Sequence, residues 1–225
     1  MDARVRGTIV HQLLESLDFL PGAAPSADDV AHVAGELGVH VASAEREDLA
    51  TLLGSALATP LAARLSAASA GARREHPFAF SLGAGEPLLT GVLDILLREP
   101  DGGRLVVDYK SDRVAAEEDL EAVVERDYSI QRLLYALAVL SDGAPSVEIV
   151  HWFLHRPSEP IGAVFAAADK QRLEDTIAQL VKNAHTHPFI VSQNPHRGLC
   201  LTCPGRSGLC SWGDSDTLRE REYGS

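Results

Sequence analysis

The sequence lacks an excess of positive charge. Its 20 Lys and Arg residues are outnumbered by 32 Asp and Glu residues, so the formal net charge is −12 and the isoelectric point is near 5.1. This is the wrong sign for a protein that grips phosphate backbones over its whole surface. It does not exclude a nucleic-acid enzyme whose basic groups are confined to one groove, particularly where metal ions supply part of the positive charge.

Long apolar runs and secretion signals are also missing. No apolar stretch approaches the roughly 18 residues needed to cross a membrane. The first residues, MDARVRGTIVHQLLESL, carry charges inside the apolar stretch and offer no small-residue cleavage site. We therefore expect a cytoplasmic protein with no membrane partner. The Gly-x-x-x-x-Gly-Lys-Ser/Thr phosphate loop is absent too, which excludes a helicase motor within this chain.

Cysteine is scarce, and its distribution is uneven. The three cysteines, Cys200, Cys203 and Cys210, all fall within eleven residues near the C-terminal end. An odd number in so short a segment argues against a disulfide framework and favours a metal or cluster site.

The spacing of apolar residues indicates an α/β or α+β fold with a mixed central sheet flanked by helices. An Ala-rich helical first third is followed by alternating strand and helix patterns and then by a tail rich in Gly and Pro. The predicted helices cover residues 5–17, 28–38, 45–57, 60–69, 117–126, 128–141 and 169–185. The predicted strands cover residues 74–82, 88–97, 104–109, 147–156 and 161–166.

These elements predict a single domain over residues 1–215. It would consist of a helical subregion (1–70), a catalytic region of sheet and helices (71–186) and a cysteine-containing tail (187–215). We expect residues 216–225 to be a disordered tail.

Charged residues interrupt the apolar strands of the hairpin TGVLDILLREPDGGRLVVDYKSD, residues 90–112. Side chains at i and i+2 of a strand share a face, so Asp108 and Lys110 lie side by side, and antiparallel pairing brings Asp94 close to Asp108. Two carboxylates in an apolar setting repel unless a positive group lies between them. A divalent cation such as Mg²⁺ fits, with Lys110 beside it to orient water or neutralise phosphoryl charge. The alternative is an ordinary Asp94–Lys110 ion pair.

Four further polar residues lie in otherwise apolar patterns. His11 is on the apolar side of the first predicted helix, and Glu75 precedes the strand that leads into the hairpin. Gln131 and Tyr135 are four apart on one face of an apolar helix. Taken singly, each has a simpler reading: a core histidine, a solvated surface acid, and a polar rim.

Together these residues resemble the RecB-type nuclease domain of the PD-(D/E)XK superfamily, found in RecB and AddA helicase–nucleases. The similarity extends over residues 5–212, and the motifs occur in the family's order on the expected elements. The matching motifs are Gly-x-x-x-His (Gly7, His11), Glu75, Gly-x-x-Asp (Gly91, Asp94), Asp-Tyr-Lys (Asp108, Tyr109, Lys110) and Gln-x-x-x-Tyr (Gln131, Tyr135). The resemblance implies a restriction-endonuclease-like fold.

The resemblance also implies a metal site that holds Mg²⁺ or Mn²⁺. Asp94 and Asp108 would bind the catalytic ion together with the main-chain carbonyl of Tyr109, and His11 would reach the same ion from the first helix. A nitrogen ligand of this kind suits Mn²⁺ as well as Mg²⁺.

The remaining motif residues are implied to act beside the metal. Lys110 would position the attacking water and stabilise charge on the phosphoryl group. Gln131 and Tyr135 would hold the substrate or the network of the site. Glu75 would either assist the metal site or hold the loop.

The cysteine tail resembles part of a known arrangement. Relatives of the AddB type carry a [4Fe–4S] cluster on one cysteine before the first nuclease helix and three near the C-terminus, and Cys200, Cys203 and Cys210 resemble the closing trio. The upstream cysteine is absent from this sequence. Three interpretations stay open: a cluster completed from elsewhere, a Zn²⁺ ion held by the trio with His196, or free thiols in a segment packed around Trp212.

We therefore expect a metal-dependent DNA exonuclease, with single-strand endonuclease activity as a further possibility, acting in recombinational double-strand break repair at the bacterial nucleoid. Its partners would be DNA ends and a UvrD-like helicase motor, in a longer chain or as a separate protein. The alternative is a catalytically inactive nuclease-fold module that binds DNA or serves as a scaffold. The presence of every metal ligand and the lysine favours catalysis.

Overall fold

The protein, described here from a computed structural model, is built around one mixed five-stranded sheet with flanking helices, as predicted. The structure describes residues 1–17, 19–20, 23–68, 71–186, 191–201, 203–206 and 208–219. The chain divides into two compact units, Met1–Leu180 and Val181–Ser225.

Four helices form the first part of the larger unit. They are α1 (Ala3–Ser16), α2 (Ala27–Glu36), α3 (Ser43–Leu57) and α4 (Pro60–Ala67). Their starts follow local capping chemistry: the Ser26 hydroxyl accepts from the Asp29 N–H while the Asp29 carboxylate accepts from the Ser26 N–H. Pro60 occupies the first turn of α4, where no N–H is needed. The predicted α4 end at Ser69 lies outside the described residues.

The sheet has the strand order β1-β2-β3-β4-β5. Its strands are β1 (Arg73–Ser81), β2 (Leu88–Arg98), β3 (Arg104–Lys110), β4 (Ser146–Phe153) and β5 (Ile161–Ala166). The pairings β1–β2, β2–β3 and β4–β5 are antiparallel, and β3–β4 is parallel. The predicted hairpin turns at Gly102, whose φ of 92° is accessible to glycine at little cost.

The parallel pairing requires a crossover, and one continuous helical run supplies it. It consists of α5 (Leu120–Val123), a π-helical segment (Val124–Tyr128) and α6 (Ser129–Ser141). The expected separate helices over 117–126 and 128–141 therefore need correction. The run starts at Leu120 because the Asp119 carboxylate accepts from the Glu121 N–H as an N-cap, and a π turn joins the two helices.

Apolar side chains cover both faces of the sheet. On one face, Val107 and Trp152 pack with leucines of α1, α3 and α4 in the larger core cluster. On the other, Phe153 packs with Leu120 and Val124. Trp152 and Phe153 enter different clusters because successive strand side chains alternate between faces. The expected β4 end at residue 156 is also corrected, since the strand ends at Phe153 and a turn follows.

The larger unit contains the most apolar helices. Among the described residues, no single helix is long and apolar enough to cross a membrane. Helices α3 and α4 are long and apolar enough only when taken together, and they bend by 73° where they meet. Their side chains Leu49, Leu53 and Leu65 are buried in the core.

The chain continues through the 3₁₀ turn Ala167–Asp169 into α7 (Lys170–Thr186), close to the predicted 169–185. The second unit contains the short helices α8 (Arg197–Cys200) and α9 (Asp214–Thr217). The division into a 1–215 domain with a disordered 216–225 tail stays a prediction, and residues 220–225 lie outside the described part of the chain.

Candidate active site

The ladder between β1 and β2 is interrupted at one point, where two carboxylates face each other. The pairs on either side are Arg74 with Ile95 and His76 with Leu93, so Glu75 and Asp94 lie opposite each other. Like charges in this position destabilise an antiparallel pair. Glu75 also has a φ of 44°, a left-handed conformation that is costly for a residue with a side chain. The fold thus carries both strain and repulsion at this point.

His11 joins these carboxylates from α1. Its Nδ1 atom lies 3.5 Å from a Glu75 oxygen and 3.8 Å from an Asp94 oxygen. Helix α1 buries Ile9, Val10, Leu13 and Leu14 against the core, which fixes His11 at the sheet. One ligand atom from each of the three side chains lies within 4.8 Å of the other two. Two carboxylate oxygens and an imidazole nitrogen are suitable ligands for Mg²⁺ or Mn²⁺, and a cation bound among them would offset the repulsion between the carboxylates.

A second group continues from Asp108 on β3. The Lys110 Nζ atom lies 2.7 Å from an Asp108 oxygen and donates to the Gln131 side-chain oxygen at 2.9 Å. The Gln131 amide donates to the Tyr135 hydroxyl at 2.8 Å, and that hydroxyl approaches Asp108 at 3.5 Å. Since Gln131 and Tyr135 are four apart on α6, they present both polar groups to the strand. Three hydrogen bonds and the Lys110–Asp108 ion pair therefore join the four side chains in a closed ring.

The backbone of Tyr109 links the two groups. Its N–H donates to an Asp94 oxygen at 2.7 Å, while its ring is buried in the core. Ile95 pairs with Val107, so Asp94 and Asp108 occupy the next opposing positions of β2 and β3. The predicted role of the Tyr109 carbonyl as a metal ligand stays a prediction.

Burial sets the protonation of both aspartates. The pKa of Asp94 is raised to about 7, first because the carboxyl group is desolvated and second because Asp108 is nearby. Burial likewise raises the pKa of Asp108, against the opposing attraction of Lys110. Asp94 is 7% exposed and Asp108 2%. A metal ion at this site would therefore compete with protons for Asp94 near neutral pH.

The sequence-predicted residues His11, Glu75, Asp94, Asp108, Lys110, Gln131 and Tyr135 thus meet at one place in the larger unit. Glu75, for which two roles were open, lies with His11 and Asp94 in a group whose ligand atoms could hold a metal ion. Asp108, the other predicted carboxylate ligand, forms an ion pair with Lys110, and its role as a metal ligand stays a prediction. Their catalytic roles stay predictions that this geometry supports.

Two residues beside the site were missed. His151 pairs with Asp108 across the parallel strands and is fully buried, and neither ring nitrogen has a partner within the described part of the chain. Burial first, then the charges of Lys110 and Arg132, lowers its pKa to about 3. Tyr128 ends the π segment, and Lys110 Nζ lies 4.1 Å from its ring centroid, a cation–π contact. A histidine inside the apolar stretch VEIVHWF was the available signal.

Three arginines that follow β3 in the chain could attract phosphate if their charges were free. In the structure each is near an acid: Arg113 is 3.6 Å from Asp48, and Arg132 is 2.6 Å from Glu125. Arg126 contacts both Glu118 and Asp127. Their positive charge is therefore largely offset, whereas the Lys110 ammonium group directly contacts the Asp108 carboxylate.

The three cysteines line one cavity of about 510 Å³ in the second unit, with Trp212. Cys200 is buried, Cys203 exposed and Cys210 intermediate. Among the described residues, no three ligand atoms of these thiols and His196 lie within 4.8 Å of one another. A [4Fe–4S] cluster needs four cysteines, and the sequence contains three. The residues thus do not fit a cluster without an additional ligand, and the zinc alternative stays a prediction.

Comparisons with known proteins bear on the family of this chain. The sequence model of the PD-(D/E)XK nuclease superfamily matches residues 1–210. No curated protein matches the chain. Fourteen solved chains are similar, among them one titled "Crystal structure of SSO0001", which is 14% identical with a TM-score of 0.37. That similarity covers 90% of this chain and 95% of the other. A likeness of this size has no bearing on function.

Proposed function

Because this chain belongs to the PD-(D/E)XK nuclease superfamily, we propose that it is a divalent-metal-dependent deoxyribonuclease that hydrolyses DNA phosphodiester bonds. The observation that carries the proposal is the meeting of His11, Glu75 and Asp94 beside the Asp108–Lys110 pair. These groups come from three strands and a helix. A decayed site would be expected to have lost one of them.

The site residues have different proposed roles in hydrolysis. Glu75, Asp94 and His11 would hold the cation, which when bound supplies Lewis-acid stabilisation of phosphoryl charge and activation of water. Lys110 is held by Asp108, Gln131 and the Tyr128 ring, so its ammonium group is fixed beside the carboxylates. We assign it to orient the attacking water and to neutralise charge that develops on the phosphoryl oxygens.

We further propose the finer role that the sequence motifs indicate. This role is that of an exonuclease, with single-strand endonuclease activity as a second mode to be tested, in the nuclease part of a RecB/AddA-like helicase–nuclease for cytoplasmic double-strand break repair. The support is the order of the motifs from Gly7 to Tyr135. The negative net charge agrees with a substrate delivered by a separate motor, since the chain's own surface offers little attraction for DNA.

The first experiment measures degradation of a labelled linear single strand in Mg²⁺ or Mn²⁺ and in EDTA. We expect cleavage with metal and none with chelator. Asp108→Ala and Lys110→Ala should each reduce the rate by at least roughly a hundredfold, because the first removes the carboxylate that holds Lys110 and the second removes the ammonium group that neutralises phosphoryl charge. Two matched control variants on α7, Asp175→Ala at an exposed residue and Lys170→Ala at a partly exposed one, should cut normally.

A circular single strand of the same sequence separates the two modes of cleavage. An exonuclease leaves it intact, whereas an endonuclease linearises it.

Cleavage by Asp108→Ala at the rate of the unmodified protein would overturn the assignment. DNA binding without cleavage at any metal concentration would support the inactive scaffold instead. Duplex degradation that requires an added UvrD-like motor and ATP would support the helicase association, and motor-independent degradation would argue against it.

A further inference from the structure

Two phenylalanines of β1 form an aromatic surface next to the proposed active site. The rings of Phe78 and Phe80 are stacked, with centroids 6.0 Å apart and an interplanar angle of 24°. The Phe78 ring also meets the Tyr135 ring edge to face at 5.8 Å. Since the Tyr135 hydroxyl approaches Asp108 at 3.5 Å, this surface begins one ring away from the carboxylate cluster.

The position of the Phe78 ring depends on a glycine. Phe78 pairs with Gly91 of β2 across the antiparallel ladder, and a Cβ atom at Gly91 would lie 2.5 Å and 2.6 Å from two carbons of the ring. Any other residue would push the ring off the strand. The glycine of the Gly-x-x-Asp motif therefore has a physical role here: it lets an aromatic ring lie flat on the sheet, three residues before Asp94.

The same two rings line a groove of about 310 Å³ at the α6 side of the hairpin. Clefts of this size hold small ligands. Among its described lining residues, the formally charged side chain is Asp142, and the remainder is chiefly apolar, with His76 and Ser141 as polar groups. A carboxylate in an apolar groove repels a phosphate. A nucleic-acid base, which is a flat, neutral ring with hydrogen-bonding edges, suits this groove better than a phosphate does.

We propose that Phe78 and Phe80 stack against unpaired bases of a DNA single strand whose backbone lies at the carboxylate cluster, and that this stacking selects single-stranded over duplex substrate. The inference rests on the proposed nuclease function. Aromatic side chains bind single strands without sequence preference because every base has a π-face. The bases of a duplex are already stacked and paired, so they cannot reach the rings.

The test measures binding of a fluorescent single strand and of a duplex of equal length to protein carrying Asp108→Asn, which prevents cleavage. In this background Phe78→Ala and Phe80→Ala should weaken single-strand binding roughly fivefold to hundredfold, the range for loss of one base–aromatic stack. Duplex binding should change less than twofold. Phe80→Trp should retain affinity, and Gly91→Ala should reproduce the defect of Phe78→Ala.

Controls separate stacking from general damage. Phe78→Leu keeps an apolar side chain but loses the flat ring, so it should fold normally and still bind weakly. Val92→Ala removes an exposed apolar side chain of β2 that is outside the groove, and it should bind like the parent. A single strand with abasic sites should bind the parent weakly and should lose nothing further with Phe78→Ala.

The outcomes distinguish this inference from the proposed function. Equal losses for single strand and duplex, or no loss for either, would overturn the stacking proposal while leaving metal-dependent cleavage intact. Phenylalanine-dependent binding of single strands by a protein that never cleaves would uphold stacking and overturn the nuclease assignment. A parent protein that binds the duplex as tightly as the single strand would also overturn the proposed selection.

Discussion

The two groups of candidate metal ligands in this chain are built in opposite ways. At the sheet, His11, Glu75 and Asp94 come from positions far apart in the sequence, and their ligand atoms lie within 4.8 Å of one another. In the second unit, three cysteines come from eleven consecutive residues, yet the described thiols and His196 do not form such a group. Nearness in sequence therefore does not decide which ligands are organised.

What differs is the packing around each group. The ligands of the sheet are attached to elements that bury large apolar side chains, and this burial holds the carboxylates together despite their repulsion. The described cysteine segment has only the four-residue helices α8 and α9, and its Leu199, Leu201 and Leu209 are exposed. We infer that the sheet is preorganised for its cation, whereas the cysteine end would be organised by a bound metal if it has one.

The largest expected effect comes from breaking the buried ion pair of the sheet. Lys110→Met should lower the free energy of unfolding by about 3 kcal/mol or more, because it leaves Asp108 buried without its cation. The measurement is thermal unfolding in EDTA, where a loss of this size lowers Tm by roughly 6–12 °C. Lys170→Met, at a partly exposed ion pair of α7, is the matched control and should change little.

A double substitution shows whether the loss arises from an unpaired charge. Asp108→Asn combined with Lys110→Met should unfold at a higher temperature than Lys110→Met alone, since the uncompensated carboxylate is gone. If Lys110→Met unfolds within about 2 °C of the unmodified protein, the pair contributes little and the preorganisation argument weakens.

Only part of the carboxylate cluster at the sheet could be predicted from the sequence. Asp108 and Lys110 share a face by the two-residue period of a strand, so their contact follows from local pattern. The ligand position of Glu75 depends on a left-handed backbone that no propensity for glutamate suggests. His151 lies beside Asp108 only through the parallel register of β3 and β4, which depends on the packing of the crossover helices.

The fold itself was easier to predict than its boundaries. Strand and helix periods gave the element order and the mixed sheet, because each segment has a clear apolar pattern. The join between α5 and α6 was missed, since a π turn at Val124–Tyr128 keeps the chain helical where the pattern changes phase. That turn places Tyr128 under Lys110, so the deviation from a regular helix lies at the site.

The second prediction tests which group binds the catalytic cation. Mn²⁺ at 100 times its dissociation constant should stabilise the unmodified protein by about 2.7 kcal/mol, because it binds only the folded state. Asp94→Asn should remove this stabilisation, while replacing all three cysteines by serine should preserve it. Thermal unfolding over a series of Mn²⁺ concentrations is the measurement. The reverse pattern would place the Mn²⁺ site at the cysteines and contradict the comparison.

The third prediction concerns the pH dependence of stability and uses two groups whose pKa values are shifted in opposite directions. The pKa of Asp94 is raised in the folded state from 3.8 to about 7, so its stabilising contribution is full below pH 3.8 and is lost as the pH rises through 7. The pKa of His151 is lowered from 6.5 to about 3, so its contribution is present above pH 6.5 and is lost as the pH falls through 3.

Single substitutions separate these contributions in EDTA. Relative to the unmodified protein, Asp94→Asn should gain at least about 1 kcal/mol of unfolding free energy between pH 4 and pH 8, and His151→Phe should gain as the pH falls from 7 to 4. Urea unfolding at four pH values is the measurement, with Asp175→Asn at an exposed residue of α7 as the control substitution. Parallel pH curves for all four proteins would show that neither group is perturbed by burial.

The smallest expected effect lies at the cysteines in the absence of metal. Replacing Cys200, Cys203 and Cys210 by serine should change the unfolding free energy of the metal-free protein by less than about 1 kcal/mol, because only Cys200 of the three is buried.

Elemental analysis of protein prepared without oxygen should then show whether the unmodified chain carries iron or zinc that the serine variant lacks. Bound metal should slow proteolysis near the exposed Leu209, since ligation orders the segment. Equal metal content and equal proteolysis in the two proteins would mean that the cysteine end is simply a surface segment with free thiols. A large loss of stability without metal would instead mean that the thiols pack as a core, and the contrast with the sheet would disappear.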